Sequence, residues 1–323
     1  MSGITSEQGL VEESRELGNT QMTISPIGIG TWAWGDSKFW TYGVDYGRKE
    51  LQQTFLQASM SGINFFDTAE LYGSGASEKL IGSFMKEADQ HPVIGTKFMP
   101  FPWRCGRKSM AKVLSSSLER LGLRQIDLYQ LHRPLPPFSL KKWMDLLTEF
   151  YDQNLINAVG VSNCNAEQLY TAYITLKQRG VPLVSNQVLY SLLRREAEEK
   201  EVLDACRELN VTVLAYSPLA MGLLSGKYSA ENPPPGKRKK LLTNIQYEAL
   251  DIMINLLRDI GGRHSRTVPQ TALNWLISKG AVPIVGATNP KQVKENAKAA
   301  GWRLTENEMN SLDEISANFS LRR

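Results

Sequence analysis

Cysteine and histidine are scarce in this 323-residue chain: three of each. Cys105, Cys164 and Cys206 are widely spaced, odd in number and form no C-x-x-C pair, which argues against a disulfide framework and a zinc ribbon. His91, His132 and His264 have no close cysteine partner, so no metal site is expected. No run approaches the ~18 uninterrupted apolar residues of a membrane span. The first twenty residues are polar, with Glu7, Glu12, Glu13 and Glu16 and no apolar segment. No secretory or transit signal is read there, so a reducing, cytoplasmic setting is expected, or a plastid if a transit peptide has been removed. Nor is there a large charge surplus: 37 basic against 33 acidic residues give +4. That balance does not point to nucleic acid. The basic run Lys237-Arg-Lys-Lys240 is read first as a solvated loop, and otherwise as a contact for anionic phosphates.

What is present is a rhythm. Short apolar runs recur at Ile27–Thr31, Ile63–Asp67, Val93–Lys97, Ile126–His132, Ile156–Ser162, Leu183–Gln187, Val211–Ser217 and Val282–Val285. Each reads as a strand buried on both faces. Between them, apolar residues follow helical spacing, as in Ser109–Gly122 and Lys141–Asn154, while Asn165–Gly180 opens on a cap-like Asn-x-x-Gln. Eight strand–helix units without a composition break predict a single-domain (β/α)8 barrel over residues 15–323, following a flexible segment 1–14. A hairpin over Arg15–Ser25 is expected at the barrel floor. Two extra helices are expected at Ile245–Gly262 and 305–316, and a long loop over 218–247.

Chemistry in such a barrel gathers at the C-terminal strand ends. Those ends carry Asp67, Lys97, His132, Ser162-Asn163, Gln187 and Tyr216-Ser217. Any one of them is explained by a strand meeting solvent; six in succession, of such different types, are not. Asp67, Lys97 and His132 lie on consecutive strands and should converge, and Tyr72 follows Asp67 closely enough to fold back over the mouth. An ammonium beside a phenol lowers its pKa, so Tyr72 is expected to be a general acid tuned towards neutral pH by Lys97 and Asp67. A Schiff-base role for Lys97 is the competing chemistry.

These segments resemble the aldo-keto reductase family. The resemblance is carried by Gly28-Ile-Gly-Thr-Trp32, Phe66-Asp-Thr-Ala-Glu-Leu-Tyr-Gly73, Gly95-Thr-Lys97, Leu131-His-Arg-Pro134, Gly160-Val-Ser-Asn163, Asn186-Gln187, Tyr216-Ser-Pro-Leu219 and Pro283-Ile-Val-Gly-Ala287, in the family's order. It implies reduction of an aldehyde or ketone, with Tyr72 as general acid/base, Lys97 and Asp67 tuning it, and His132 positioning the carbonyl. It also implies a nicotinamide dinucleotide, NADPH before NADH, bound without a Rossmann fold. Ser162, Asn163 and Gln187 then match carboxamide-binding positions, and Tyr216 the ring-stacking aromatic. Ser217, Leu219, Gly222, Lys227 and Arg238 match the pyrophosphate loop, and Gly286, Thr288, Gln292, Glu295 and Asn296 the adenosine site. Thr31, Trp32 and Asp67 join the cofactor set. Many members carry arginine where Gln292 stands and lysine where Gly286 stands, so a 2′-phosphate would rely on Thr288, Lys291 or Lys294.

The first loop holds Trp32, Trp34, Phe39, Trp40, Tyr42 and Tyr46. Trp32, Trp34 and Trp103, with Tyr72 and His132, are the expected substrate pocket; self-packing of a long loop is the plainer alternative. Gly30-Thr-Trp-Ala-Trp-Gly35 and Asn232-Pro-Pro-Pro-Gly-Lys-Arg238 are most similar to a plant, algal and cyanobacterial branch that includes pyridoxal reductases. Pyridoxal or another aromatic aldehyde is therefore the named candidate. The branch is also related to potassium-channel β subunits, which allows an NADP(H)-binding sensor with little turnover. The partner implied is a small carbonyl compound, with neither nucleic acid nor membrane; oligomeric state is left open.

Overall fold

A computed structural model describes residues 13–104, 106–136, 138–238, 242, 245–317 and 319. Residues 1–12 of the expected flexible segment, Cys105, and Lys239 and Lys240 of the basic run lie outside that set. The rhythm closes as expected. Strands β3 (Gly28–Gly30), β4 (Phe65–Asp67), β5 (Val93–Phe98), β6 (Ile126–Leu131), β7 (Ile156–Ser162), β8 (Leu183–Leu189), β9 (Thr212–Tyr216) and β10 (Val282–Gly286) form one closed parallel barrel. The first strand is three residues long rather than five, and the second starts at Phe65 rather than Ile63. Apolar character runs beyond the residues that make ladder hydrogen bonds, because the loop entering a strand is buried as well: Ile27 and Ile63 both lie in the core.

Helices α1 (Arg48–Met60), α2 (Ala76–Ala88), α3 (Gly106–Leu121), α4 (Leu140–Asp152), α5 (Ala166–Lys177), α6 (Glu196–Glu199), α7 (Val202–Glu208), α8 (Tyr247–Arg263), α9 (Val268–Ser278), α10 (Pro290–Ala297) and α11 (Glu306–Ala317) surround it. Their starts have local causes. Asn165 and Gln168 form a reciprocal capping box on α5, with bonds of 2.8 and 3.0 Å. Asn289 caps α10 by accepting from Gln292 N, and Pro290 supplies the pre-set first φ. The two expected extra helices are α8 and α11, each within two residues of the expected bounds.

The floor is a plug. Strands β1 (Arg15–Glu16) and β2 (Thr23–Ile24) form the hairpin, and its Leu17 and Ile24 pack with Phe65, Leu128, Ala158, Val184, Leu214, Val282 and Ile284 inside the barrel. Gly18 makes this approach with φ +57°; a Cβ there would stand 2.7 Å from the Val184 Cα. With the bottom sealed by apolar side chains, the polar strand ends collect at the other rim.

Candidate active site

Asp67 closes β4 and Lys97 lies one residue before the end of β5. Their side chains meet: Lys97 Nζ donates to Asp67 Oδ2 at 2.6 Å and to the Thr68 carbonyl at 2.8 Å. The other carboxylate oxygen accepts from Gln187 Nε2 at 2.7 Å and from Gln130 Nε2 at 3.3 Å. Tyr72 begins a tight turn in which Gly73, Ser74 and Gly75 all have positive φ. A Cβ on Gly73 would stand 2.7 Å from the Gly35 carbonyl, so glycine lets the first loop press against the turn that carries Tyr72. The Lys97 Nζ is 5.2 Å from the Tyr72 ring centre, and the His132 ring lies edge-on to Tyr72 at 6.2 Å. The four expected side chains therefore converge at one rim.

Their electrostatics differ from the expectation at one point. Burial pushes the Tyr72 hydroxyl above the usual phenol range; Lys97 pulls it down, but Asp67 pushes it up again. The net direction is upward, because burial is the largest effect and the carboxylate that steadies the lysine also offsets its field. Burial opposes the Lys97 ammonium as well, yet Asp67 and Tyr72 outweigh it and hold the lysine above its usual range. A Schiff-base amine must be neutral and open to a carbonyl; this one is charged and fully buried. His132 goes the other way: burial, then Lys97 and Arg133, lower it to about 3, so its imidazole is neutral.

The neighbouring rim is pre-wired. Ser162 Oγ donates to the Gln187 carbonyl at 2.8 Å. Asn163 Nδ2 donates to Ser162 Oγ at 2.9 Å and to the His132 carbonyl at 3.2 Å, while Asn163 Oδ1 accepts from the Tyr216 hydroxyl at 3.0 Å. Beyond Tyr216 the backbone runs through positive φ at Ser217, Ala220, Met221 and Gly222, the kind of turn that gathers N–H groups around an anion. Leu219 belongs to this turn, and Lys227 is exposed just after it. Arg238 sits 5.8 Å from the Trp40 ring and 5.7 Å from the Tyr228 ring, and Lys237 donates to the Lys38 carbonyl, so the 218–238 segment reaches the first loop. A Cβ on Gly222 would come 3.2 Å from Tyr228 and 3.6 Å from Arg238 Nη1; its absence keeps the cradle open. At the far side Gly286 is exposed at the end of β10, and Gln292 folds back to accept from Thr288 N at 2.7 Å. Donors, a positive-φ cradle and a helix N-terminus in sequence around the rim fit an extended dinucleotide.

Four expected positions are corrected in part. Thr31 is fully buried behind Asp67, donating to the Asp67 carbonyl at 3.0 Å, so its hydroxyl does not face the rim. Asn296 lies on the inner face of α10, buried, and Glu295 accepts from Gln270 Nε2 at 3.0 Å. Trp34 is not a pocket wall: at 0% exposure it packs between Phe66 and Phe84 and donates to the Ala287 carbonyl at 2.9 Å. Of the aromatic residues in this loop, Trp34 is the one that is fully buried. Trp32 instead stacks on Phe39 at 5.0 Å and meets Trp40 edge-on at 5.4 Å, partly exposed. Trp103 is 74% exposed, stacked on Phe101 at 4.7 Å.

Two functional neighbours escaped sequence reasoning. Glu70 joins the Tyr72 segment to the 99–104 loop by accepting from Met99 N at 3.0 Å and pairing with Arg104. Gln130 lies inside a strand that reads as apolar; the one signal was a polar residue two before His132.

A family model described as "Aldo/keto reductase family" matches residues 26–317. The chain belongs to this family. It is 39% identical over 306 residues to a chloroplastic pyridoxal reductase of Arabidopsis thaliana, covering 90% of this chain and 83% of that protein. It is 30% identical to an NADH-specific methylglyoxal reductase of Escherichia coli, covering 93% and 97%. Among solved structures, the thermostable aldo-keto reductase Tm1743 with the inhibitor epalrestat aligns with TM-score 0.76 at 31% identity, covering 94% and 99%. The glycerol dehydrogenase AKR11B4 from Gluconobacter oxydans aligns with TM-score 0.84 at 26% identity, covering 96% and 97%. This aldo-keto reductase is an NAD(P)H-dependent, carbonyl-reducing oxidoreductase. Among its described residues no helix is long and apolar enough to cross a membrane.

Proposed function

We propose that this aldo-keto reductase reduces a planar aromatic aldehyde, with pyridoxal as the leading candidate, using NADPH, and that Tyr72 gives the proton. The observation that carries the reading is the Tyr72 hydroxyl set among the Lys97–Asp67 pair and a neutral His132. NADPH, when bound, supplies the hydride that adds to the carbonyl carbon. The carbonyl oxygen then gains charge and takes the Tyr72 proton; solvent returns a proton to the phenolate. Lys97 holds positive charge beside the developing phenolate, and Asp67 keeps that ammonium in place. His132, having no charge to lose, holds the carbonyl oxygen with a ring N–H.

Ser162, Asn163 and Gln187 would hold the carboxamide, Tyr216 the ring face, and the 217–222 turn with Lys227 and Arg238 the pyrophosphate. Gly286, Thr288 and Gln292, with the exposed Lys291 on the opening turn of α10 and the exposed Lys294 on its last turn, would take the adenosine end. Lys291 beside the helix N-terminus, with Lys294 one turn further on, supports the 2′-phosphorylated cofactor. The partly exposed Trp32 and the Phe101–Trp103 stack support a planar substrate. The pyridoxal reductase relative supports the same choice.

Oxidation of NADPH and NADH, followed at the reduced-nicotinamide absorbance, tests the reading with pyridoxal, 4-nitrobenzaldehyde, methylglyoxal and a simple ketone. Faster turnover of the aromatic aldehydes with NADPH is expected. Equal turnover of pyridoxal and aliphatic aldehydes would overturn the substrate class; tight NADPH binding with no turnover would replace it by a sensor role.

A further inference from the structure

Gln130 is fully buried in β6. Across the ladder it is the register partner of Lys97 on β5 and of Gly160 on β7, and Gly160 is in turn paired with Ser185 on β8. The four form one register row that begins at Lys97 of the active-site rim. The Gln130 side chain leans towards Asp67, its Nε2 donating a hydrogen bond to Oδ1 at 3.3 Å. With Gln187 on the same oxygen and Lys97 on the other, the carboxylate takes donors from three strands. The amide's orientation is fixed by that charge, since the flipped rotamer would set a carbonyl oxygen against a carboxylate. The space for the lean comes from Gly160, where a Cβ would stand 2.9 Å from Gln130 Cγ and collide with Ser185 Oγ.

Packing does not explain an amide here. The Gln130 Oε1 is buried with no hydrogen-bond partner among the described residues, and so is Ser185 Oγ. An unpaired buried acceptor is unfavourable, and methionine would fill the same volume without one. What the amide has that methionine lacks is the donor on Asp67.

We infer that Gln130 is a positioning residue for carbonyl reduction: it pins the Asp67 carboxylate, and through it the Lys97 ammonium beside Tyr72. The inference rests on the proposed acid role of Tyr72. A donor on a carboxylate spreads its charge. Without it, Asp67 presents a more negative field to Tyr72, whose other neighbours are Lys97 from β5, Tyr216 from β9 and His132 at the end of β6. The phenol then becomes a weaker acid, and the phenolate that serves alcohol oxidation forms only at higher pH.

The test compares the full chain with Gln130→Met and Gln130→Glu. The readouts are NADPH affinity by fluorescence, KM and kcat for 4-nitrobenzaldehyde, and the pH profile of oxidation of the corresponding alcohol. Gln130→Met should bind NADPH and aldehyde within about twofold of the parent. Its kcat should drop about tenfold, and its acid limb of oxidation should move up by roughly half to one pH unit. Gln130→Glu keeps the shape. Protonated, it still donates to Asp67 and should approach parental rates at low pH; ionised, it faces a second carboxylate and should lose activity through a new limb as pH rises. In an Asp67→Asn background, Gln130→Met should add less than about a twofold loss, because its route is gone. Parental kcat and an unmoved limb in Gln130→Met would overturn the inference. So would a kcat loss with an unmoved limb, which is the signature of packing alone. If Gln130→Met does not fold, Gln130→Glu decides: a profile tracking the parent at every pH overturns the inference. A parent protein inactive towards every carbonyl would instead remove the functional reading beneath it.

Discussion

The Lys97 Nζ and Asp67 Oδ2 lie 2.6 Å apart with side chains 0% and 3% exposed, an ion pair taken wholly out of water. Such a pair is weak evidence for stability, because desolvation consumes most of its attraction, but breaking it on one side is severe. Lys97→Met leaves a carboxylate with amide donors from Gln130 and Gln187 and no cation. It should destabilise the fold by ~3–5 kcal/mol in chemical denaturation at pH 7. The double variant Lys97→Met/Asp67→Asn should be clearly more stable than the sum of the single losses, since the stranded charge is gone. Additive losses would mean that the two groups do not act as a pair.

Tyr72→Phe removes one oxygen at the rim. The ring stays on its turn, and the carboxamide and pyrophosphate residues are untouched. NADPH affinity should stay within about twofold, while kcat for aldehyde reduction should fall at least ~10²-fold. Near-parental kcat would take the proton-donor role from Tyr72.

His132 carries its own pH signature. Its folded value is about 3, against an ordinary imidazole value of ~6.5. Between those values the unfolded chain binds a proton that the folded chain refuses. Stability linked to His132 is therefore complete above ~6.5 and falls as pH drops towards 3, with a slope of at most ~1.4 kcal/mol per pH unit. His132→Asn should flatten that acid-side decline in denaturation midpoints between pH 6.5 and 4. In the parent, aldehyde reduction should show no transition near 6.5. A rate limb at that pH abolished by His132→Asn would mean that the imidazole titrates in the open site.

How legible was this site? The strand ends are readable because parallel strands buried on both faces are mostly apolar and carry a charged or polar residue near the point where they stop, as at Asp67 and Lys97. Convergence followed from topology, since adjacent parallel strands place their ends side by side. The direction of the Tyr72 shift was not readable. It depends on the balance of burial, Lys97 and Asp67, which is set by distances in three dimensions. Gln130 was missed because one amide within Ile-Asp-Leu-Tyr-Gln-Leu gives no periodic signal; only the ladder places it between Lys97 and Gly160. The Gly18-Asn19 turn predicts the hairpin at the barrel floor, but nothing local marks Leu17 and Ile24 as its plug, because their partners come from distant strands.

The two tryptophans grouped by sequence should separate by experiment. Trp34 fills the space between Phe66 and Phe84 and satisfies its indole N–H on Ala287, far along the chain. Trp34→Ala opens a cavity and strands that carbonyl, so it should cost about 3–5 kcal/mol of stability. Any loss of activity should track the unfolded fraction. Trp103 has little packing to lose; Trp103→Ala should change the denaturation midpoint within error, as exposed substitutions do, by under about 0.5 kcal/mol. Its effect should fall on selectivity: losing an aromatic face of the Phe101 stack should lower kcat/KM for pyridoxal and 4-nitrobenzaldehyde about three- to tenfold, the scale of one aromatic contact. Methylglyoxal, with no ring, should be reduced as before. An equal fall for ringed and ringless aldehydes would show that Trp103 serves the loop and not the substrate.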